Sequence, residues 1–245
     1  ESQHMRLAVL SDIHANLEAL KQVLRDLDRQ SVDAVVSLGD NIGYGPDPEG
    51  VLELIRERGI PSVMGNHELG IVNPVSLSHF NPAARLSLEI TWRLLSPGSI
   101  ESLKTLKISR VVCRCWCVHG FPPHSVNMYL YQAVESCLRR AFRELEEEVC
   151  FVGHTHELAV MSSGEDRPRE ISLKQGRNFL PEGYKYIVNA GSVGQPRDGD
   201  NRAKYVIWDD ETRLLEIRYI PYDIAATARK ILEFGFPEFN ARRLW

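Results

Sequence analysis

The sequence predicts an α/β fold in which two mixed β-sheets pack face to face and are flanked by helices, with α+β character in the C-terminal half. Two observations predict it. Near the start of the chain, short apolar runs alternate with amphipathic helical segments, whereas after residue 149 short apolar runs follow one another with Gly, Pro and Asp between them. Helical crossovers make neighbouring strands parallel, and consecutive short strands pair in antiparallel fashion. We therefore predict a four-layer αββα sandwich.

The spacing of apolar residues predicts the elements of the first half. Residues 7–10, 34–38 and 61–64 form short apolar runs of the kind found in buried strands. Apolar residues recur at helical intervals in 17–27 and again in 49–58. The order is strand, helix, strand, helix, strand, which is the alternation that a parallel arrangement requires.

A helical region is predicted between the two halves. Asn81 suits an N-cap, Pro82 suits the first helical position, and apolar residues keep helical spacing until Pro97. We expect this region, about residues 74–106, to form a cap beside the functional site. It belongs to a single predicted domain that spans 5–245.

The second half is predicted to be mostly strands. Three of the five cysteines, Cys113, Cys115 and Cys117, alternate with other residues, which favours one buried strand face over a metal knuckle, and we expect reduced thiols. The predicted elements are strands at 111–118, 149–152, 158–162, 169–173, 185–189, 203–208 and 214–220, and a helix near 223–234.

Composition limits the classes of function. The chain has 245 residues, of which 43% are hydrophobic and 25% charged, as in ordinary globular proteins. Its net charge of −4 gives no general attraction to nucleic acid or to a membrane surface. No apolar run is long enough to span a bilayer, and no secretory signal is recognisable, so we expect a cytoplasmic protein. Residues 1–4, ahead of Met5, are interpreted as a remnant of protein production.

Metal-ligand residue types follow the predicted strands. Open α/β sheets bind ligands at the carboxyl ends of their parallel strands. The side chains found there offer oxygen and nitrogen but no sulfur, and each pair on its own is a weak signal. They are Asp12 and His14, Asp40, Asn66 and His67, His119, and His154 and His156.

Taken together, these motifs form a recognisable set. The chain resembles the calcineurin-like metallophosphoesterases over essentially its whole length, and within them the compact bacterial and archaeal phosphoesterases, which include small phosphodiesterases. The motifs that carry the resemblance are Asp12-x-His14, Gly39-Asp40, Gly65-Asn66-His67-Glu68, Val118-His119-Gly120 and Gly153-His154-Thr155-His156, together with the runs Ser11-Asp12-Ile13-His14 and Gly191-Ser192-Val193-Gly194.

The resemblance implies a dinuclear metal centre with a bridging aspartate, Asp40. One metal would be held by Asp12, His14, Asp40 and His156, and the second by Asp40, Asn66, His119 and His154. A hydroxide bridging the two metals would attack phosphorus in line. Mn²⁺ is the expected metal, although Fe, Ni or Zn also suit such ligands.

Two further residues are candidates for contact with the substrate. The resemblance makes His67 a catalytic proton donor or transition-state hydrogen bonder, and the alternative is a structural histidine. Arg197 lies in the Gly-rich run after a predicted strand and, with Asn66, could hold the phosphoryl group, although a solvated arginine is an equal alternative. Specificity is expected from loops near Tyr44, from the His79–Leu95 segment and from Tyr184.

The predicted activity is hydrolysis of a small phosphodiester or phosphomonoester. The sequence Gly39-Asp40-Asn41-Ile42-Gly43-Tyr44-Gly45 lacks the second Asp and the Arg of phosphoprotein phosphatases, which argues against that class and against symmetrical diadenosine tetraphosphate hydrolases. A nuclease and a non-catalytic interaction scaffold remain alternatives. The expected partner is a small phosphorylated substrate, with no nucleic acid or membrane, and the oligomeric state cannot be read from the sequence.

Overall fold

The computed structural model describes residues 4–245, so residues 1–3 of the interpreted remnant lie outside the described residues. The strands are β1 (Arg6–Leu10), β2 (Ala34–Ser37), β3 (Ser109–Val112), β4 (Cys115–Val118), β5 (Val149–Val152), β6 (Leu158–Ser162), β7 (Arg169–Ile171), β8 (Gly176–Phe179), β9 (Tyr186–Ala190), β10 (Ala203–Asp209) and β11 (Leu214–Ile220). The α-helices are α1 (Leu17–Leu27), α2 (Pro48–Glu57), α3 (Asn66–Val72), α4 (Pro82–Leu94), α5 (Pro97–Leu103), α6 (Glu135–Glu144), α7 (Ile224–Glu233) and α8 (Glu238–Arg242), with 3₁₀ turns at Pro74–His79 and Leu130–Gln132.

The strands form two mixed sheets. The first has the order β2-β1-β10-β11-β8 and the second β3-β4-β5-β9-β6-β7. β1 and β2 are parallel, as are β4, β5 and β9, whereas the remaining neighbours are antiparallel. The predicted mixed sheets are thereby confirmed.

The two sheets pack face to face around the main core. Val9 and Trp208 of the first sheet share one buried cluster with Phe151 and Val188 of the second. Because side chains alternate along a strand, the other face of each sheet is free for helices. The helices α1 and α2 cover the first sheet, and α6 covers the second. The four-layer αββα sandwich is confirmed.

The predicted strand at 111–118 is wrong as a single element. The chain folds there as a hairpin, with β3 and β4 joined by Cys113 and Arg114, whose φ angles are 47° and 60°. Left-handed conformations at both central residues match a two-residue hairpin turn, which Asn-Gly normally signals and Cys-Arg does not. Cys115 and Cys117 therefore share the core face while Cys113 lies in the turn, and all five thiols are free as expected.

One other strand prediction is corrected, and one strand was not predicted. Residues 61–64 make isolated bridges from Ser62 to Ser37 and from Val63 to Lys107 instead of a full strand. Residues 176–179, which carry little apolar character, form the edge strand β8 beside β11. Edge pairing is stabilised by main-chain hydrogen bonds and needs no apolar run, so the pattern gave no signal there.

The region 74–106 contains the 3₁₀ turn at Pro74–His79 and the helices α4 and α5. Asn81 caps α4 by accepting a hydrogen bond from the Ala84 amide at 2.9 Å. Leu88 of α4 and Leu103 of α5 pack with Ile42 in a cluster of their own, next to the loop that follows β2. In the part of the chain that is described, no helix combines the length and the apolar character needed to cross a bilayer.

Candidate metal centre

The predicted ligand residues converge at the carboxyl ends of the parallel strands. Asp12 and His14 follow β1, Asp40 follows β2, His119 follows β4, and His154 and His156 follow β5. Main-chain hydrogen bonds hold the loops together, including His14 N to Asp40 O at 2.9 Å and Gly153 N to His119 O at 2.8 Å. Asn66 joins them as the first residue of α3. The structure thus brings all seven predicted ligand residues into one buried place.

Most of the predicted ligand residues have a left-handed backbone. The φ angles of Asp12, His14, Asp40, His154 and His156 lie between 47° and 70°. Such a conformation costs about 1–3 kcal/mol for a residue other than glycine and persists only when the surroundings impose it. Strain of this kind is concentrated at functional sites, and here it turns the side chains toward a common centre.

The first group of donor atoms surrounds Asp12. Its Oδ1 lies 3.3 Å from His156 Nε2 and 3.7 Å from His14 Nε2, and those two nitrogens are 3.0 Å apart. The other oxygen, Oδ2, accepts hydrogen bonds from Ser11 Oγ and from the His154 amide. Oδ1 is buried and has no hydrogen-bond partner among the described residues. A buried carboxylate oxygen without a donor is explained if it faces a cation.

The second group surrounds His119, whose Nε2 lies 3.2 Å from Asp40 Oδ2, 3.0 Å from Asn66 Oδ1 and 3.2 Å from His154 Nδ1. Asp40 Oδ2 is also 3.7 Å from His14 Nε2 of the first group. The carboxylate of Asp40 therefore lies between both groups, which is the position that a bridging ligand requires.

Each imidazole among the predicted ligands is oriented by a main-chain carbonyl. The nitrogen that faces away from the centre lies within hydrogen-bond distance of a carbonyl oxygen, and a proton on that nitrogen leaves the other lone pair aimed into the site. The pairs are His14 Nδ1 with Ile42 O (3.1 Å), His119 Nδ1 with Leu38 O (2.8 Å), His156 Nδ1 with Gln195 O (2.7 Å) and His154 Nε2 with Asn127 O (3.1 Å).

The electrostatics of the centre suit a cation. Burial lowers the pKa of His156, and it lowers the pKa of His154 to about 4, so these imidazoles are neutral donors at pH 7. Burial opposes ionisation of Asp40, but the positive potential of His119 outweighs it and lowers the pKa of that carboxyl. Burial also disfavours protonation of His119, yet Asp40 raises its pKa to about 9. A metal ion would replace that proton beside Asp40.

The residues present fit divalent metal ions. Three overlapping groups have donor atoms within 4.8 Å of one another, namely Asp12–His14–His156, His14–Asp40–His67 and Asp40–His119–His154. Nitrogen and carboxylate donors without sulfur suit first-row divalent metals, and the unpartnered Asp12 oxygen is consistent with one of them.

His67 lies at the edge of the centre. Its Nε2 is 3.9 Å from Asp40 Oδ2, and its amide donates to Asp40 Oδ1 at 2.9 Å. The rings of Tyr44, Phe80 and His14 enclose the imidazole at centroid distances of 4.5, 5.1 and 4.8 Å. Burial lowers the pKa of His67 to about 3, so the ring is neutral and would act through an N–H hydrogen bond. Phe80 brings the 74–106 region into contact with the site.

Glu68 belongs to the Gly65-Asn66-His67-Glu68 motif, but the sequence does not indicate its role. Its buried carboxylate accepts hydrogen bonds from the amides of Asp40 (2.8 Å), Asn41 (2.7 Å) and Gly65 (2.9 Å), so it ties the Asp40 turn to the start of α3. Burial and the charge of Asp40 raise the pKa of Glu68 to about 7. The usable signal was a Glu at the third position of a helix, where it caps the preceding amides.

No sequence pattern singles out Tyr129. Its ring stacks on that of the predicted ligand His154, with centroids 3.9 Å apart and an angle of 13° between the planes. It precedes a 3₁₀ turn in a segment without periodicity, so no pattern pointed to it.

The remaining candidates divide between the site and the rest of the surface. Arg197 lies beside the centre, because its amide donates to His156 O at 3.2 Å and its Nη2 donates to Gln195 Oε1 at 2.9 Å. Tyr184 lies just before β9, at the strand end opposite the site, and hydrogen-bonds to Glu165. His79 and His124 are both exposed.

The fold and the cluster together define an α/β sandwich protein with a buried cluster of oxygen and nitrogen donors that could hold metal ions. The chain belongs to the calcineurin-like phosphoesterase superfamily, whose domain matches residues 5–213. Members of this superfamily are in general hydrolytic enzymes that bind divalent metals.

Several proteins are similar to this chain over nearly its full length. The chain is 34% identical to the uncharacterized protein MJ0912 of Methanocaldococcus jannaschii over 249 aligned residues, which cover 98% of this chain and 97% of that protein. The crystal structure of a metallophosphoesterase from Sphaerobacter thermophilus is similar with a TM-score of 0.82 and 35% identity, covering 99% of this chain and 98% of that one. A hypothetical protein of Pyrococcus horikoshii, PH1004, shares the fold with a TM-score of 0.77 and 20% identity, over 98% and 97% of the two chains.

Proposed function

We propose that this protein is a dinuclear metal-dependent phosphoesterase that hydrolyses a small phosphodiester or phosphomonoester. The observation that carries the proposal is the position of Asp40 Oδ2, 3.2 Å from His119 Nε2 and 3.7 Å from His14 Nε2, between two sets of donor atoms. A shared carboxylate reduces the repulsion between two cations held close together. The proposed metal ligands are Asp12, His14, Asp40 and His156 for one ion, and Asp40, Asn66, His119 and His154 for the other.

The ligand residues would hold two divalent ions, which would supply Lewis-acid chemistry: polarisation of the phosphoryl oxygens and activation of water at neutral pH for in-line attack on phosphorus. Mn²⁺ is the proposed ion, and Fe, Ni and Zn are alternatives for the same donor set.

The surrounding residues orient the ester. His67 reaches the edge of the centre as a neutral imidazole and would donate an N–H hydrogen bond to an oxygen of the phosphoryl group or of the leaving group. The Asn66 side chain faces the same space through its 3.0 Å contact with His119. Arg197, held by Gln195, would bind a phosphoryl oxygen with a charged hydrogen bond.

The proposal is tested with purified protein loaded with Mn²⁺. We expect hydrolysis of p-nitrophenyl phosphate or its bis ester and two metal ions per chain by elemental analysis. Asp40→Asn should abolish the activity and reduce the metal content, because both sets of donors lose a charged oxygen. His79→Ala is the matched control, since His79 is exposed and outside the centre, and it should change neither quantity.

Three outcomes would contradict the proposal. Metal-replete protein that is inert on a broad panel of phosphate esters would refute hydrolysis. Fewer than about one metal per chain after growth in supplemented medium would favour an interaction scaffold. DNA binding that weakens steeply with salt, together with DNA cleavage, would favour a nuclease. The proposal includes a cytoplasmic location and a small phosphorylated substrate, without a nucleic acid or membrane partner.

A further inference from the structure

A second arginine, Arg243, directly follows α8, and α8 contacts the Tyr44 loop beside the centre. Arg243 stacks over the ring of Phe239, with its Cζ 4.8 Å from the ring centroid. Its neighbours Ala241 and Leu244 are buried against α7 and α4, so the backbone that carries Arg243 is fixed. No sequence motif pointed to this residue.

The α8 segment is connected to the site through Tyr44. Asn240 Nδ2 donates to the main-chain oxygen of Tyr44 at 3.0 Å and to Ser87 Oγ at 2.9 Å. The Tyr44 ring in turn lies 4.7 Å from that of the ligand His14 and 4.5 Å from that of His67. Two contacts therefore separate α8 from the metal ligands.

Arg197 approaches the same place from the opposite loop. Its amide bonds to the His156 carbonyl, and its guanidinium is held by Gln195, which also orients the His156 ring through its own carbonyl. The Nε of Arg197 is buried and has no hydrogen-bond partner among the described residues. A guanidinium fixed in this way has a donor left to offer to a ligand.

The two arginines influence each other and have no carboxylate partner. Burial and then the positive charge of Arg197 lower the pKa of Arg243, and the other titratable groups that influence it are the phenols of Tyr44 and Tyr129, which are neutral at pH 7. Within residues 4–245, no carboxylate oxygen forms an ion pair with Arg197 or Arg243. The adjacent Arg242 does have such a partner, because its Nε lies 3.5 Å from Glu238 Oε1. Two cations held close together without counter-charge favour the binding of an anion.

We propose that Arg243, together with Arg197, forms a second anion subsite beside the metal centre, and that the substrate is a phosphate ester whose organic group carries an additional negative charge. This inference rests on the proposed function. The metal centre would hold the scissile phosphoryl group, and the paired guanidinium groups would hold the additional carboxylate or phosphate across Tyr44. Arg243 is thus assigned a role in specificity.

The test compares matched esters with and without the additional charge. Phenyl phosphate is compared with 3-carboxyphenyl and 4-carboxyphenyl phosphate, using the Mn²⁺-loaded full chain. We expect at least one carboxylated ester to have a kcat/KM about 10- to 100-fold above that of phenyl phosphate, the effect of a hydrogen bond between charged groups. Arg243→Gln should reduce this ratio to about one, whereas the neighbouring control Arg242→Gln should keep the wild-type ratio.

Binding provides a second readout that needs no turnover. The dissociation constants of phenylphosphonate and its two carboxylated analogues are measured by calorimetry, and Arg243→Gln should remove the preference for the charged analogue. The inference is overturned if neither carboxylated ester is preferred, or if Arg243→Gln weakens all ligands equally. If no ester is hydrolysed at all, the proposed function fails. If phenyl phosphate is hydrolysed but the ratio is the same in both proteins, only the second subsite fails.

Discussion

Gly43→Ala should displace His67 without changing any proposed metal ligand. Gly43 has a φ of +83°, and a Cβ added there would lie 2.0 Å from His67 Nδ1 and 2.9 Å from its Cε1. Ordinary contact begins near 3.4 Å, so the imidazole and the loop must separate by roughly 1.4 Å. The ring cannot retreat freely, because Tyr44, Phe80 and His14 enclose it.

The expected effect is a loss of rate with the metal centre intact. A misplacement of about 1 Å in a positioned catalytic group can reduce the rate about 100-fold, which corresponds to roughly 2.7 kcal/mol of activation free energy. We expect kcat for p-nitrophenyl phosphate to fall by about this factor, while the metal content per chain stays at the wild-type value. Added to His67→Ala, the Gly43→Ala change should have no further effect on kcat, since the affected group is already absent.

Gly59→Ala is the matched control. Gly59 also has a positive φ, of +61°, but a Cβ there would meet nothing within 4 Å. It should reduce the free energy of unfolding by about 1 kcal/mol and leave kcat unchanged. Displacement of His67 by a Cβ at position 43 is refuted if Gly43→Ala keeps the wild-type kcat or loses metal. It is also refuted if Gly43→Ala lowers kcat by the same factor in the His67→Ala background as in the wild-type protein.

Three further predictions concern stability. Asp26→Asn should lower the free energy of unfolding by about 1–3 kcal/mol at pH 7, because the Asp26 carboxylate accepts hydrogen bonds from Tyr205 and Arg218. Burial opposes ionisation of Asp26, but these hydrogen bonds outweigh it and lower the pKa of the carboxyl. That contribution is present above the unfolded pKa near 3.8 and is lost as the pH falls through the lower folded value, so urea titrations of the two proteins should converge in acid and diverge toward pH 7. Phe151→Ala should cost about 3–5 kcal/mol in chemical denaturation, because Phe151 is fully buried between the sheets; a loss below about 1 kcal/mol would contradict the packing. Removing the metals with a chelator should lower Tm by about 5–10 °C, which is the stabilisation expected from ions at about 100 times their dissociation constant; an unchanged Tm would show that the ions do not bind the native state.

The sequence predicted the parts of the structure that local pattern determines. The helix at 17–27 and the strand at 149–152 were found with the bounds that the structure has, because the helix has a regular apolar period and the strand is a continuous apolar run that is buried throughout. The convergence of the metal-ligand types followed from a general rule, since parallel strands end at one edge of a sheet. The single domain stays a prediction.

The features that the sequence could not predict depend on contacts between residues far apart in the chain or on an unusual backbone conformation. The Cys113–Arg114 turn adopts a left-handed conformation that neither residue type favours, so it was read as continuous strand. Glu68 acts through three amides, and its role is evident only once two loops are in place. The role proposed for Arg243 depends on Asn240, which anchors α8 to the Tyr44 loop through a contact between residues 196 positions apart.

The carbonyl partners of the four ligand histidines have a consequence for how such a site diverges. A peptide oxygen is the same whatever residue carries it, so Leu38, Ile42, Asn127 and Gln195 can be exchanged for other types while each imidazole keeps its aim. Mutational drift around the centre is therefore tolerated as long as the chain path is maintained. Lineages sharing this scaffold can acquire new specificities by altering the rim alone, without rebuilding the ligand geometry underneath.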